Sequence, residues 1–236
     1  MNLKTVLPLA MTAAVAAIPA SAANLLTNGS FENPVLSTLS TNIAYYTNGN
    51  TSITGWTVDM RPGSTSPWVS LNNNFAFGGL NATDGIQYLD LTGITGRGAG
   101  LLSNSVATSA ALNYAVSFDL GAVFYNGSFG QATLDLLVNG TLVGSYTVQP
   151  PASNSINWQR FSYNFAGTGS PVRIGLYASL DAASSQFGVG LDNVVLEGFE
   201  RPPVGGVPEP MSWALLTAGF GVVGAAMRRR QRAVAA

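Results

Sequence analysis

Apolar residues in the central part of the chain recur at every second position, a spacing that predicts strands rather than helices. Tyr114, Val116, Phe118 and Leu120 alternate with Ala115, Ser117 and Asp119, as a strand with one buried face requires. Phe161, Tyr163 and Phe165 alternate with Arg160, Ser162 and Asn164, and Val172, Ile174 and Leu176 repeat the pattern. Leu134 to Val138 and Leu142 to Val148 flank Asn139-Gly140-Thr141, and Asn-Gly signals a hairpin because both residues tolerate positive φ. Further strands are expected at Trp56–Asp59, Ile86–Leu91 and Val189–Leu196, whereas Thr38–Asn81 is the least regular stretch. No helical pattern competes between Asn24 and Glu200. Short strands separated by turn signals predict an all-β domain, an antiparallel β-sandwich of the jelly-roll type, over residues 24–200.

The pattern changes at both ends. Residues 1–23 carry Lys4, an apolar stretch from Val6 through Ile18, and the small residues Ala20-Ser21-Ala22, the layout of a secretory signal peptide. Pro8 and Pro19 bracket a stretch well short of the ~20 apolar residues that a membrane span needs. After the domain, Pro and Gly make residues 201–206 a linker. Val207-Pro208-Glu209-Pro210 follows, then an apolar run over 211–227, then Arg228, Arg229, Arg230 and Arg232. The run sits near the ~17-residue lower limit of a transmembrane helix, and positive-inside logic puts the arginines in the cytoplasm. The folded domain is then expected outside.

In that order, a Val-Pro-Glu-Pro motif, a short apolar helix containing Gly219, Gly221 and Gly224, and an arginine cluster within residues 207–236 resemble the PEP-CTERM sorting signal of Gram-negative bacteria. The resemblance implies recognition of Pro208-Glu209-Pro210 by an exosortase-type transpeptidase after Sec-dependent export. It further implies a transient stay in the inner membrane and delivery to the cell surface or extracellular matrix, in a family linked to exopolysaccharide and biofilm.

Composition narrows the chemistry. Charged residues make up 9 % of the 236-residue chain and the net charge is -1, which leaves no basic footprint for nucleic acid. The chain contains neither Cys nor His. Disulfides, imidazole or thiolate nucleophile systems and the usual zinc sites are therefore excluded, and what remains is carboxylate chemistry or hard-cation binding. Asp84 and Asp90 are the carboxylates that a glycosidase reading would pair, but Asp84-Gly85 reads more simply as a turn entering a strand, with Asp90 on its polar face. The expectation is a non-enzymatic protein.

Four pieces, Asn24 to Pro34, Gly55-Trp56-Thr57-Val58, Asp84 to Leu91 and Leu191-Asp192-Asn193-Val194, are together similar to galactose-binding-like jelly rolls of the carbohydrate-binding-module type. That resemblance implies the fold, a glycan ligand, and a structural Ca²⁺ held by Glu32 and Asp192. The same carboxylates could instead accept loop amide hydrogen bonds. Sugar rings stack on exposed aromatic faces, so Tyr45, Tyr46 and Trp68, in loop-like sequence, are candidate ligand contacts. Trp158 is a further candidate that core burial would equally explain, and Trp56 belongs to the core. The alternatives to a carbohydrate-binding surface protein are a structural matrix protein with no glycan pocket and a carboxylate-only hydrolase.

Overall fold

The computed structural model describes residues 23–36, 42–78, 80–93, 95–181, 186–201, 215–221 and 228. The chain divides into a unit spanning Met1–Phe199 and a second spanning Glu200–Ala236. The signal peptide and the 207–210 motif lie outside the described residues. Of the expected membrane helix, 215–221 is helical and exposed, and no helix among the described residues is long and apolar enough to cross a membrane.

The first unit is built from antiparallel strands. In chain order they are β1 (Ile43–Tyr46), β2 (Trp56–Met60), β3 (Val69–Asn73), β4 (Gln87–Asp90), β5 (Ala99–Ser103) and β6 (Leu112–Tyr125). Then come β7 (Ser128–Phe129), β8 (Ala132–Val138), β9 (Thr141–Val148), β10 (Ser155–Ala166), β11 (Ile174–Ala178) and β12 (Val189–Glu200). One sheet runs β1-β3-β4-β12-β6-β10, with β7 paired to β6; the other runs β2-β5-β11-β8-β9. The β8–β9 hairpin turns at Asn139 and Gly140, whose φ values of 50° and 78° are those the Asn-Gly pair was expected to supply.

The two sheets face each other across one core. Alternate residues of β6 (Val116, Phe118, Leu120) and β12 (Val189, Leu191) meet Leu134 and Leu136 of β8 and Ile174 and Leu176 of β11, all with no exposed surface. Trp56 fills the same core at 1 % exposure, and its indole N–H donates to the Asn28 carbonyl. Strands expected at 114–120, 134–138, 142–148, 161–165 and 189–196 are all present and longer than their apolar patterns. Four more, β1, β3, β5 and the two-residue β7, carry weaker patterns: β3 reads Val-Ser-Leu-Asn-Asn yet is buried along its whole length. Its Val69 and Leu71 enter the main core, while Ser70 and Asn72 are buried on the opposite face of the sheet.

Candidate functional site

That opposite face carries a second apolar cluster, built on Leu80, Tyr88 and Val123 with Phe77, Tyr125, Ile156, Trp158 and Phe187 packed around it. The cause is local sequence. In β4 the alternation Gln87-Tyr88-Leu89-Asp90 sends Leu89 to the main core and Tyr88 and Asp90 outward. In β6 the segment beyond Ala122 sends Val123 and Tyr125 the same way. The β3–β4 connection, residues 74–86, covers this cluster rather than leaving it to solvent.

Several polar groups fix that connection. Glu32 Oε1 accepts the amides of Ile86 at 2.9 Å and Gln87 at 2.8 Å. Asp192 Oδ2 accepts the amides of Thr83 at 2.7 Å and Asp84 at 2.9 Å and lies 3.1 Å from the Thr83 hydroxyl; its Oδ1 accepts the Asn193 amide at 2.6 Å. Asn74 Oδ1 accepts from Ala82 N–H. From β10, the Trp158 indole N–H donates to the Asn81 carbonyl at 2.8 Å. Asp119 completes the network, receiving the Thr83 hydroxyl at 2.7 Å and the Asn193 side-chain amide at 3.1 Å and pairing with Arg160 at 3.0 Å. Asp192 has no exposed surface, and that burial raises its pKa to about 6 against the lowering pull of the donors around it.

Trp158 lies flat on the sheet because two glycines clear a lane for it. A Cβ on Gly121 would stand 2.7 Å from the indole, and one on Gly190 would stand 2.8 Å from it. The ring then meets Tyr88 edge-on at 5.9 Å. Between the 74–86 connection and the sheet a pocket of about 250 Å³ remains open, with Asn72, Tyr88, Asp90 and Val123 among its lining residues from the sheet. Phe77 and Leu80 line it from the 74–86 connection, and Tyr125 and Phe187 contribute aromatic rings. Phe77 and Tyr125 meet edge-on at 5.1 Å.

The residues singled out in the sequence fall in different places. Tyr45 and Tyr46 are in strand β1, not in a loop; Tyr46 is 8 % exposed and enters the main core, which corrects its assignment as a ligand contact. Tyr45, 55 % exposed, packs edge-on against Trp68 at 5.2 Å. Neither this pair nor Trp158 lines the pocket, so Trp158 supports the site from beneath the connection. Glu32 and Asp192 do converge on one loop, but the groups aimed at them are N–H and O–H donors, whose positive ends stand where a cation would sit. Among the described residues no three carboxylates gather into a metal-holding group, and this donor set does not fit a calcium ion. The other reading of these carboxylates, acceptance of loop amide hydrogen bonds, describes what they do here.

The chain matches no protein-family model and no curated protein. Among solved structures it is similar to an arabinose-bound α-L-arabinofuranosidase, at 14 % identity and a TM-score of 0.44, over 75 % of this chain and 26 % of that one. The chain thus spans about a quarter of that enzyme's length. It is also similar to a family 35 carbohydrate-binding module from Paenibacillus barcinonensis, at 15 % identity and a TM-score of 0.37, over 65 % of this chain and 96 % of that one. A xylan-binding domain of Xyn10C from the same organism matches at 18 % identity and a TM-score of 0.39, over 68 % and 94 %.

Proposed function

We propose that the chain is an exported, non-enzymatic surface or matrix protein whose sandwich recognises carbohydrate in the pocket beneath residues 74–86. The observation that carries this reading is the pocket itself: aromatic rings from Phe77, Tyr125 and Phe187 line one cavity together with the polar side chains of Asn72 and Asp90. Aromatic faces suit the C–H faces of a sugar ring, and a few fixed polar groups set its orientation. Because the covering connection is hydrogen-bonded at Glu32, Asp192 and Trp158, little ordering cost attends binding. At about 250 Å³ the cavity lies below the ~300–1,000 Å³ of drug-sized pockets, room for one sugar unit of a polysaccharide.

The test is titration calorimetry against extracted exopolysaccharide and a glycan array, comparing the native protein with Tyr125→Ala and Phe187→Ala. Each variant should bind roughly two- to tenfold more weakly, the worth of one aromatic contact. Unchanged affinity in both would remove the pocket as the site, and no binding by the native protein would favour a structural matrix role. Sorting is a separate part of the proposal, supported by the ordered motif, apolar run and arginine cluster of residues 207–232. Glu209→Ala should hold the protein in the inner membrane, and release equal to that of the native chain on cell fractionation would sink exosortase recognition.

A further inference from the structure

Each sheet ends in two edge strands, and three of these four are poor templates for another chain. β1 and β2 run for 4 and 5 residues, and β9 carries an extra residue, Val143, where its register with β8 shifts. β10 is different. Its 12 residues pair with β6 in unbroken register, and among the described residues no strand lies along its other side. Gly167, the residue after β10, donates its N–H to the Leu112 carbonyl at 3.0 Å, and the register continued by one residue sets the two opposite each other. Alternate residues of an antiparallel strand turn their backbone groups to opposite sides, so the odd-numbered residues of β10 bond β6. Ile156, Trp158, Arg160, Ser162, Asn164 and Ala166 therefore present their N–H and C=O groups outward, where no backbone partner among the described residues meets them. Edge strands are ordinarily guarded by proline, lysine, a bulge or a charge turned into the gap. β10 has no proline, no lysine and no bulge. Its one charge, Arg160, is drawn back over its own sheet, to Asp119 at 3.0 Å and the Ser117 hydroxyl at 2.8 Å.

We propose that β10 is the docking edge for a second copy of this chain, the two β10 strands pairing antiparallel about a twofold axis at Ser162. The choice of occupant follows from self-complementarity. Two identical antiparallel strands close with twofold symmetry. This axis sets Ser162 opposite the partner subunit's Ser162, Arg160 opposite the partner subunit's Asn164 and Trp158 opposite the partner subunit's Ala166, so no like charges face each other directly. On the core side the same register sets Phe161 opposite the partner subunit's Tyr163, an aromatic cross-strand pair of the kind that stabilises sheets. Both rings are half-buried against the core of their own sandwich, and the second strand completes their cover. The axis stands perpendicular to the sheet, so the pockets of the two copies lie on the same face of one continuous sheet. Two weak grips on one polymer then reinforce each other. That consequence rests on the carbohydrate reading, whereas the strand pairing does not.

The test needs no glycan, so its failure leaves carbohydrate recognition standing. Sedimentation velocity of the full-length chain in mild detergent, over a concentration series, is compared with that of Ser162→Pro. Proline removes the outward N–H of residue 162 and leaves the β6 ladder whole, so the variant should stay folded. It should dimerise about tenfold more weakly or worse, because two symmetry-related hydrogen bonds are lost. A monomeric native chain, or a folded Ser162→Pro that dimerises like the native chain, would overturn the proposal. The chain contains no cysteine, so Ser162→Cys supplies a second readout that holds even if the proline variant fails to fold. Hydrogen-bonded antiparallel partners stand about 5.5 Å apart at Cα, within reach of a disulfide. Mild oxidation should cross-link Ser162→Cys into a dimer and leave Ser52→Cys, at an exposed position elsewhere, largely monomeric. Equal yields from the two would overturn the pairing at Ser162.

Discussion

Asp192 offers the sharpest perturbation because its environment pulls in two directions. Its carboxyl is buried beneath the 74–86 connection, yet it accepts three backbone amides and lies against the Thr83 hydroxyl. Burial prevails, and the pKa rises from 3.8 to about 6. The sign follows from proton linkage. Between these two values the folded protein holds a proton that the unfolded chain has released, so stability contributed by this group is fully present below 3.8 and is lost as pH rises through 6. A difference of about two in pKa corresponds to about 3 kcal/mol, a large share of the 5–15 kcal/mol typical of a domain. Urea unfolding measured at intervals from pH 4.5 to 7.5 should therefore show native stability falling over that range and levelling above pH 6.5. Asp192→Asn, which cannot ionise, should be flatter over the same interval. A native profile that is level or rises with pH, or a variant with the native slope, would refute the account of the buried carboxyl.

Three further outcomes are expected. Gln87 accepts the Leu36 amide at 2.6 Å and donates to the carbonyls of Phe31 and Pro34 at 2.8 and 3.0 Å, so Gln87→Leu strands three backbone groups and should cost about 3–5 kcal/mol in urea unfolding; a loss under about 1 kcal/mol would mean that water replaces it. Gly190→Ala drives a methyl into the Trp158 ring, and a loss of about 1–3 kcal/mol with red-shifted tryptophan fluorescence is expected; an unchanged spectrum would count against the glycine lane. Because the donors around Glu32 and Asp192 are N–H and O–H groups, EDTA should leave the melting temperature where it is, and a fall reversed by Ca²⁺ would restore the calcium assignment.

How far the sequence was legible depends on which face a strand shows. Strands such as β6 and β10 have one face in the core and one toward polar surroundings, and their alternation announced them. β3 hid because the 74–86 connection buries its second face as well, so Ser70 and Asn72 stand where solvent would ordinarily be and the segment falls within the least regular stretch, Thr38–Asn81. Tyr45 and Tyr46 were misplaced for a related reason: the four-residue β1 is too short for a pattern to declare itself. The pocket was illegible, since Asn72, Tyr88, Val123 and Phe187 are far apart in sequence and meet through the strand order β3-β4-β12-β6. One signal was present: Tyr88 alternates with Leu89 in β4, and two apolar faces on one strand imply a cover on each.

Residues Asn24 to Gly29 of the sandwich are stitched to its last strand. Leu25 N–H donates to the Leu196 carbonyl at 2.8 Å, Asn24 Oδ1 accepts from Leu196 N–H at 2.9 Å, and Val194 N–H donates to the Gly29 carbonyl at 2.8 Å. Four residues of extended strand, about 13 Å, separate Leu196 from Glu200. A short Gly-Ser bridge could then join the two ends into a continuous chain, and new ends could be opened at an exposed turn such as Asn139-Gly140 with the sheet order unchanged. The same closeness means that tension entering through residue 200 loads β12 and the N-terminal stitch before any other strand, so mechanical failure of a tethered copy would begin at Asn24–Gly29.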